Sequence, residues 1–263
     1  MTDDELFLTA ILGCSRSELY LHPRPLTHNE QSRLNDMRRR RLTGEPVQYL
    51  TGFTEFFGYR FDIGPDVLIP RPETEILADM LIRTLKAYPQ TDHRILDIGT
   101  GSGCLAITIA KELSRSRVTA LDISEKALEY ARHNSMLNAT TDRVECINRD
   151  MFWYLDETTE RFDAIVSNPP YIPSYLLPAL PVDVRYEPEL ALDGGPDGLH
   201  FYRFLIPTSF KILKPGGILA LEFGDGQAKE LEKLFASTGH WDKINVYNDN
   251  AGESRVILAQ KSL

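Results

Sequence analysis

The sequence is poor in three features that would assign it to other classes of protein: cysteine, positive charge and long apolar runs. Its 263 residues include only Cys14, Cys104 and Cys146, widely spaced and without a CxxC pair, so neither a disulfide framework nor a metal site is predicted. The net charge of −9 argues against a protein that binds mainly by neutralising phosphates. No apolar run approaches the roughly 18 residues that span a bilayer, and the acidic start is unlike a basic targeting peptide. We therefore expect a cytoplasmic protein that makes no membrane contact.

The most informative stretch is residues 162–172, an apolar strand that ends in Asn168, Pro169, Pro170 and Tyr171. Consecutive prolines donate no backbone N–H and fix φ near about −65°, so the chain must leave the sheet as a stiff loop. The Asn168 side-chain oxygen and the Asn168 and Pro169 carbonyls can accept hydrogen bonds. Beside the ring of Tyr171, these acceptors suit a planar NH2 group, either an amide or the exocyclic amine of a base. Open α/β sheets place their ligands at this end of a strand.

The amino-terminal part of the chain predicts a small helical lobe. Apolar residues recur at helical spacing over residues 5–43, with Thr27 as a candidate N-cap. Residues 44–52 are rich in turn formers, and the aromatic run at 53–61 predicts a β-hairpin. The four arginines at 38–41 form either a solvated helix face or a contact for RNA or an acidic partner.

From residue 94 onward, strands and helices alternate, which predicts an α/β fold with a doubly wound parallel sheet. The predicted strands cover residues 94–98, 117–123, 143–149, 162–167, 217–223, 243–247 and 255–260. The predicted helices cover residues 72–87, 103–114, 124–137, 198–213 and 226–237, with a kink at Pro207. Residues 172–196 have no clear periodicity, and a loop of this length in a compact domain is usually functional.

A glycine-rich loop follows the first strand of this sheet and leads into a helix. It consists of Gly99, Thr100, Gly101, Ser102 and Gly103. Its G-x-G-x-G spacing differs from the dinucleotide fingerprint, and no Walker lysine follows it. Asp122 ends the next strand, where an acid can hold the two hydroxyls of a ribose. Loop and acid together predict a site for a nucleoside cofactor.

This arrangement resembles the cofactor loop of class I S-adenosylmethionine-dependent methyltransferases. By that resemblance, Asp97 steadies the loop and the amino group of the methionine moiety, and Asp122 binds the ribose. The cofactor-binding residues that the resemblance implies are Asp97, Gly99, Thr100, Gly101, Ser102, Gly103, Asp122, Ile123, Asp150, Met151 and Asn168.

The adenine end of this implied site is bordered by Asp150 and Met151. Asp150 has an alternative role as the N-cap of a helix. Met151 stands where a bulky aromatic residue often follows the acid, so we expect Phe152 or Trp153 to take over that packing.

Four further segments resemble the HemK/PrmC family of release-factor glutamine methyltransferases: residues 52–58, 69–75, 167–172 and 186–199. The similarity extends over nearly the whole chain from about residue 44, and the family also has a helical amino-terminal lobe. It implies a Rossmann-like methyltransferase domain with a seven-stranded, mostly parallel sheet at residues 66–263. Residues 1–65 would form a helical substrate-recognition domain that ends in the hairpin linker.

The resemblance implies methyl transfer to the side-chain nitrogen N5 of the glutamine in the Gly-Gly-Gln loop of class I peptide chain release factors, with no direct nucleic-acid substrate. The catalytic and substrate-binding residues would be Asn168, Pro169, Pro170 and Tyr171. The Asn168 side-chain oxygen and the Pro169 carbonyl would accept the two amide N–H bonds, and Tyr171 would pack on the amide plane. Arg71 and Glu75 are expected either to face the substrate or to cap a helix.

Three alternatives share parts of these motifs. An adenine-N6 methyltransferase acting on DNA or RNA would share the Asn-Pro-Pro-Tyr segment, but a sequence pI of about 5.2 argues against it. The ribosomal-protein glutamine methyltransferase is expected to differ at residues 71–75. A non-catalytic nucleoside-binding protein would not need both the glycine loop and the Asn-Pro-Pro-Tyr segment intact.

Overall fold

Four helices and a hairpin come first along the chain in the computed structural model, which describes residues 2–87, 92–238 and 241–263. The elements are α1 (Asp3–Leu12), α2 (Arg16–Leu21), α3 (His28–Leu42), α4 (Val47–Thr51), β1 (Phe53–Phe56) and β2 (Tyr59–Asp62). Capping boxes begin the first three helices, because Thr2, Ser15 and Thr27 each precede a glutamate by three residues. The N-cap prediction for Thr27 is confirmed. The turn-rich interpretation of residues 44–52 missed α4.

The arginine run of α3 is paired with acids at the surface. Arg38 bonds Asp4 at 2.6 Å and Arg41 bonds Asp3 at 2.8 Å, while Arg39 pairs with Asp36. Exposed pairs of this kind contribute little stability, but they neutralise the run within the lobe. The contacts agree with a solvated helix face rather than a free cationic surface.

The hairpin shares its buried side chains with the sheet layer rather than with the helical lobe. Phe56 and Phe61 are buried in one cluster with Leu77 and Leu81. The lobe has its own smaller core, made of Phe7, Ile11, Leu34, Met37 and Leu50. The domain boundary between residues 65 and 66 stays a prediction.

A seven-stranded sheet forms the centre of the molecule, as the sequence predicted. Its strands are β3 (His93–Ile98), β4 (Ser116–Asp122), β5 (Val144–Asn148), β6 (Phe162–Ser167), β7 (Leu213–Glu222), β8 (Trp241–Asn248) and β9 (Ser254–Lys261). Their order is β5-β4-β3-β6-β7-β9-β8. The first five are parallel to one another, and β9 runs antiparallel to both β7 and β8. The carboxyl ends of β3, β4 and β6 therefore meet at one edge.

Helices cover both faces of the sheet. They are α5 (Pro72–Lys86), α6 (Cys104–Glu112), α7 (Glu125–Leu137), α8 (Met151–Glu157), α9 (His200–Ile212) and α10 (Ala228–Thr238). One apolar layer packs α5, α6 and α7 on the sheet, and the other packs α8, α9 and α10. α9 continues past Pro207, and the kink there stays a prediction. Within the described residues, no helix is both long and apolar enough to cross a membrane.

Besides the missed α4, three predictions of secondary structure need correction. The sequence did not predict α8, because its seven residues are too few to show a helical period. β7 begins at Leu213 rather than at residue 217; Leu213 pairs with Phe162 ahead of a register shift. The unpatterned segment 172–196 contains three 3₁₀ turns, at Ser174–Ala179, Val184–Tyr186 and Glu189–Ala191.

Candidate active site

A cavity of about 280 Å³ opens at the carboxyl ends of β3, β4 and β6. Eight of the residues that the sequence singled out line it: Gly99, Gly101, Asp122, Ile123, Asp150, Met151, Asn168 and Pro170. The two predicted half-sites, the glycine loop and the Asn-Pro-Pro segment, thus face one space. The other predicted residues are absent from this lining: Arg71, Glu75, Asp97, Thr100, Ser102, Gly103, Pro169 and Tyr171.

The glycine loop needs a backbone that other residues rarely adopt. Gly99, Gly101 and Gly103 have φ values of 71°, 56° and 82°, all in the left-handed region that favours glycine. A Cβ on Gly103 would lie 2.9 Å from Ile107 Cδ1 and 3.2 Å from the Cα of Ala131, so this glycine lets α6 and α7 approach closely. Gly99 and Gly101 have no described atom within 4 Å on the corresponding side. A ligand can therefore come close to the loop backbone.

Asp97 lies beneath the loop and is fully buried. Its Oδ2 accepts from Thr100 Oγ1 at 2.6 Å and from the Ala106 N–H at 3.1 Å, which ties the loop to the first turn of α6. Its Oδ1 has no hydrogen-bond partner among the described residues. Burial raises the pKa of Asp97 to about 7, against the opposing effect of these two bonds. A cationic donor beside Oδ1 would lower that pKa again.

Asp122 ends β4 at the wall of the cavity. Its Oδ2 accepts from the Gly101 N–H at 2.8 Å, and its Oδ1 accepts from the Ser124 N–H at 2.9 Å. Burial raises its pKa, whereas these backbone bonds favour the charged form. Each oxygen keeps a lone pair for a further donor. The carboxylate is thus rigidly held and can accept from two neighbouring hydroxyls, as a ribose requires.

The far end of the cavity is aromatic. Asp150 is the N-cap of α8, because its Oδ1 accepts from the Phe152 N–H at 2.8 Å, so the capping alternative is confirmed. Phe152 lines the cavity and its ring centroid lies 4.6 Å from that of Phe204. Trp153 is 66% exposed and does not line the cavity. Of these two residues, Phe152 is therefore the one placed to take over the aromatic packing, and its contact with an adenine stays a prediction.

The Asn-Pro-Pro-Tyr segment leaves the sheet where β6 ends. Ser167 anchors the exit, since its buried hydroxyl donates to the Ile98 carbonyl at 2.7 Å. Asn168 faces the cavity and its Nδ2 donates to Thr74 Oγ1 at 3.1 Å. Pro169 is buried beside it. The side-chain oxygen of Asn168 is the polar atom that this arrangement leaves for a ligand.

Tyr171 is held by close backbone contacts. A Cβ on Gly194 would lie 2.7 Å from the Tyr171 Cα, and one on Gly224 would lie 2.9 Å from its ring. Gln227 Nε2 donates to the Tyr171 carbonyl at 3.0 Å. Burial raises the pKa of the Tyr171 hydroxyl. The glycines of segment 186–199 thus bring the chain against Tyr171, and the predicted contact of its ring with the substrate amide stays a prediction.

Arg71 and Glu75 have contacts away from the cavity. Arg71 pairs with Glu187, whose side chain is 1% exposed and also accepts from the Ile69 N–H at 3.1 Å. Arg71 lines a groove of about 800 Å³ between the helical lobe and the sheet domain. Glu75 Oε1 accepts from the Phe57 N–H at 2.7 Å and so secures the hairpin turn. Arg71 is the N-cap residue of α5 but makes no side-chain capping bond, and a substrate contact for either residue stays a prediction.

Several wall residues carry no chemical motif and were missed from the sequence. Pro188, Leu190 and Ala191 come from the long loop, and Phe201 comes from α9. Residues 66–68 close the side next to the hairpin. The advance signals for the loop residues were its unpatterned length and the family resemblance of segment 186–199, and neither predicted that these residues line the cavity.

Comparison with known proteins agrees with this geometry. The family described as "Methyltransferase small domain" matches residues 72–174, and the "PrmC N-terminal domain" matches residues 2–52. The crystal structure of a methyltransferase from Pyrococcus furiosus has a TM-score of 0.58 at 22% identity, covering 90% of this chain and 100% of that chain. The family match, with which the order of the sheet, the glycine loop and the acid at the end of β4 agree, gives the class: a methyltransferase.

Two curated relatives define the family within that class. The release factor glutamine methyltransferase of Moorella thermoacetica is 45% identical over 84% of this chain and 77% of its own length. The enzyme of the same name from Geobacter sulfurreducens is 40% identical over 97% of this chain and 87% of its own length. The chain belongs to the release factor glutamine methyltransferase family.

Proposed function

We propose that this protein transfers the methyl group of S-adenosylmethionine to the side-chain nitrogen of the glutamine in the Gly-Gly-Gln loop of class I peptide chain release factors. The single observation that carries the proposal is the shared cavity, in which the Asn168 acceptor faces the glycine loop. Membership of the family supports the choice of substrate. We propose a cytoplasmic location, with which the unpaired thiols of Cys14, Cys104 and Cys146 agree.

The donor and acceptor pattern of the site fits S-adenosylmethionine. The cofactor carries an ammonium group, two ribose hydroxyls and an adenine ring. The orphaned, buried Oδ1 of Asp97 suits the ammonium group, and Asp122 has one lone pair free on each oxygen for the hydroxyls. Phe152 and Met151 offer an apolar surface to the adenine. These residues would hold the cofactor against the glycine loop, with its methyl group towards Asn168.

The residues of the strand exit would align and polarise the substrate amide. A carboxamide nitrogen is a poor nucleophile, because its lone pair is delocalised into the carbonyl. The Asn168 side-chain oxygen and the Pro169 carbonyl would each accept one N–H bond, which aims the nitrogen and favours partial pyramidal character. Fixed acceptors also stabilise the positive charge that develops on nitrogen. Alignment of the reacting pair can lower the barrier by several kcal/mol.

The cofactor, when bound, supplies a sulfonium methyl group: the amide lone pair forms the N–C bond, the S–C electron pair stays on sulfur, and one amide proton leaves to water. The cavity wall formed by Pro188 and Leu190 would limit the access of water to this path. No step needs a strongly basic side chain, because methylation itself acidifies the nitrogen.

Transfer of labelled methyl from S-adenosylmethionine tests the proposal. The acceptors, offered in parallel at one stated salt concentration, are a purified release factor, the same factor with its loop glutamine changed to alanine, and duplex DNA. Label on the intact factor alone is the expected result. Label on DNA, or equal label on the alanine variant, would overturn it and favour an exocyclic amine or another side chain as the acceptor.

A further inference from the structure

A buried acid lies next to the predicted catalytic asparagine and takes no part in the proposed methyl transfer. Glu222 ends β7 and is 1% exposed. β6 and β7 are in parallel register with Ser167 opposite Leu221, so Glu222 adjoins Asn168 across the two strands. It directly follows the buried apolar run of residues 218–221. A carboxyl group in such a position requires polar partners.

A chain of two hydrogen bonds joins this acid to the site. Thr74 Oγ1 donates to Glu222 Oε2 at 2.6 Å, and Asn168 Nδ2 donates to Thr74 Oγ1 at 3.1 Å. Thr74 is itself buried, on the first turn of α5. The three side chains come from three different elements, so the chain also ties α5 to the carboxyl ends of β6 and β7.

The direction of these bonds follows from counting protons. An ionised carboxylate only accepts, and a hydroxyl has one proton. When Glu222 is ionised, Thr74 therefore donates its only hydroxyl proton to Glu222, and the Thr74 oxygen can only accept. The group of Asn168 that faces Thr74 must then be the NH2. The side-chain oxygen is turned the other way and remains for a ligand in the cavity.

We propose that Thr74 and Glu222 are positioning residues, which fix the side-chain amide of Asn168 so that its oxygen, not its NH2, faces the substrate. The inference rests on the proposed function, because a glutamine NH2 group is a double donor and needs an acceptor. If the side-chain amide of Asn168 were turned round, its NH2 group would face the NH2 group of the substrate, and neither could accept a hydrogen bond. Without the chain, the two orientations of an amide differ little in shape and both would be populated.

The protonation state of Glu222 controls the direction of the chain. A protonated Glu222 can donate to Thr74, which then donates to the Asn168 oxygen and turns the NH2 into the cavity. Burial raises the pKa of Glu222 to about 7, opposed by the hydrogen bonds that its side chain receives from Thr74 and from Asn168. The polar and charged groups around it are Glu73 and Thr74 on α5, Cys104 on α6, Asn168 and Tyr171 after β6, Tyr202 on α9 and Arg255 on β9. Methyl transfer should therefore rise with pH as Glu222 ionises.

Thr74→Val and Thr74→Ser separate the hydroxyl from the shape of the side chain. We expect Thr74→Val to lower kcat about tenfold, the value of one hydrogen bond of about 1.4 kcal/mol, with the dissociation constant of the cofactor unchanged. Thr74→Ser should restore kcat. The matched control is Thr108→Val, because the buried Thr108 hydroxyl has no hydrogen-bond partner among the described residues. Glu222→Gln should flatten the pH profile of kcat between pH 6 and 8.

A second readout does not depend on turnover. Exchange of the Asn168 side-chain NH2 protons with solvent, followed by NMR and assigned by its loss in Asn168→Asp, should be slow in the unmodified protein and faster in Thr74→Val. Unchanged exchange and unchanged kcat in Thr74→Val would overturn the inference, as would a kcat in Thr74→Ser as low as in Thr74→Val. Faster exchange in Thr74→Val, with no methylation of any glutamine by the unmodified protein, would support the chain and contradict the proposed function.

Discussion

Replacing Arg71 with alanine should destabilise the fold by an amount that grows with pH. The cause is Glu187, which is buried at the junction between the helical lobe and the sheet domain and pairs with Arg71. Burial already raises the pKa of Glu187 above its ordinary 4.5, although Arg71 acts to lower it. Its contribution to stability is therefore fully present below pH 4.5 and is lost as the pH rises through the folded pKa. Removing Arg71 raises that pKa further, so the loss becomes larger and extends to higher pH.

The size of this effect follows from the contact. An adjacent opposite charge changes a carboxyl pKa by about 1–3 units, and each unit corresponds to about 1.4 kcal/mol. The Arg71 side chain is 32% exposed, so solvent screening places the expectation near the low end of that range. We expect Arg71→Ala to lose about 1–2 kcal/mol more at pH 8 than at pH 5.

Urea unfolding of Arg71→Ala and of the unmodified protein at the two pH values measures the difference. A Glu187→Gln background removes the charge and keeps an oxygen for the Ile69 N–H. In that background, the stability lost through Arg71→Ala should not increase with pH. Equal losses at pH 5 and pH 8 would refute the explanation. A raised KM for the release factor with unaltered stability would instead support the substrate contact that the sequence suggested for Arg71.

Two further predictions concern the cofactor. Asp122→Ala should raise the dissociation constant of S-adenosylmethionine at least about tenfold, because one charged hydrogen bond contributes about 1.5–3 kcal/mol; calorimetric titration checks this, and near-normal affinity would exclude Asp122 as the ribose acid. Phe152→Ala should weaken cofactor binding severalfold in the same titration, whereas Trp153→Ala should not, because Trp153 lies outside the cavity; the reverse order would assign the adenine contact to Trp153.

The sequence predicted those parts of the site that depend on neighbouring residues. The glycine loop and Asp122 follow from one strand–loop–helix unit and the end of the next strand, and in the structure the Gly101 N–H donates to Asp122. The acceptor-rich exit at Asn168 follows from two prolines behind an apolar strand. Each pattern lies within a few residues, and the parallel topology alone brings both to the same edge.

The parts that sequence reasoning missed depend on contacts between distant segments. Thr74 and Glu222 are 148 residues apart, and nothing near either residue shows that they meet. Glu222 did give a signal, as an acid directly behind the apolar run of residues 218–221, but its partner could be identified only from the position of α5. Arg71 similarly lies inside a motif, while its partner Glu187 is 116 residues away. Local patterns can predict which residues matter without predicting what they contact.

The most direct test of the account is single-turnover methyl transfer to a release factor by Asn168→Ala, with cofactor binding measured on the same preparation. The account predicts that Asn168→Ala binds S-adenosylmethionine with nearly unchanged affinity, because Asp97 and Asp122 remain, and that methylation of the loop glutamine is lost. Near-normal methylation by Asn168→Ala would contradict the claim that its side-chain oxygen orients the substrate amide.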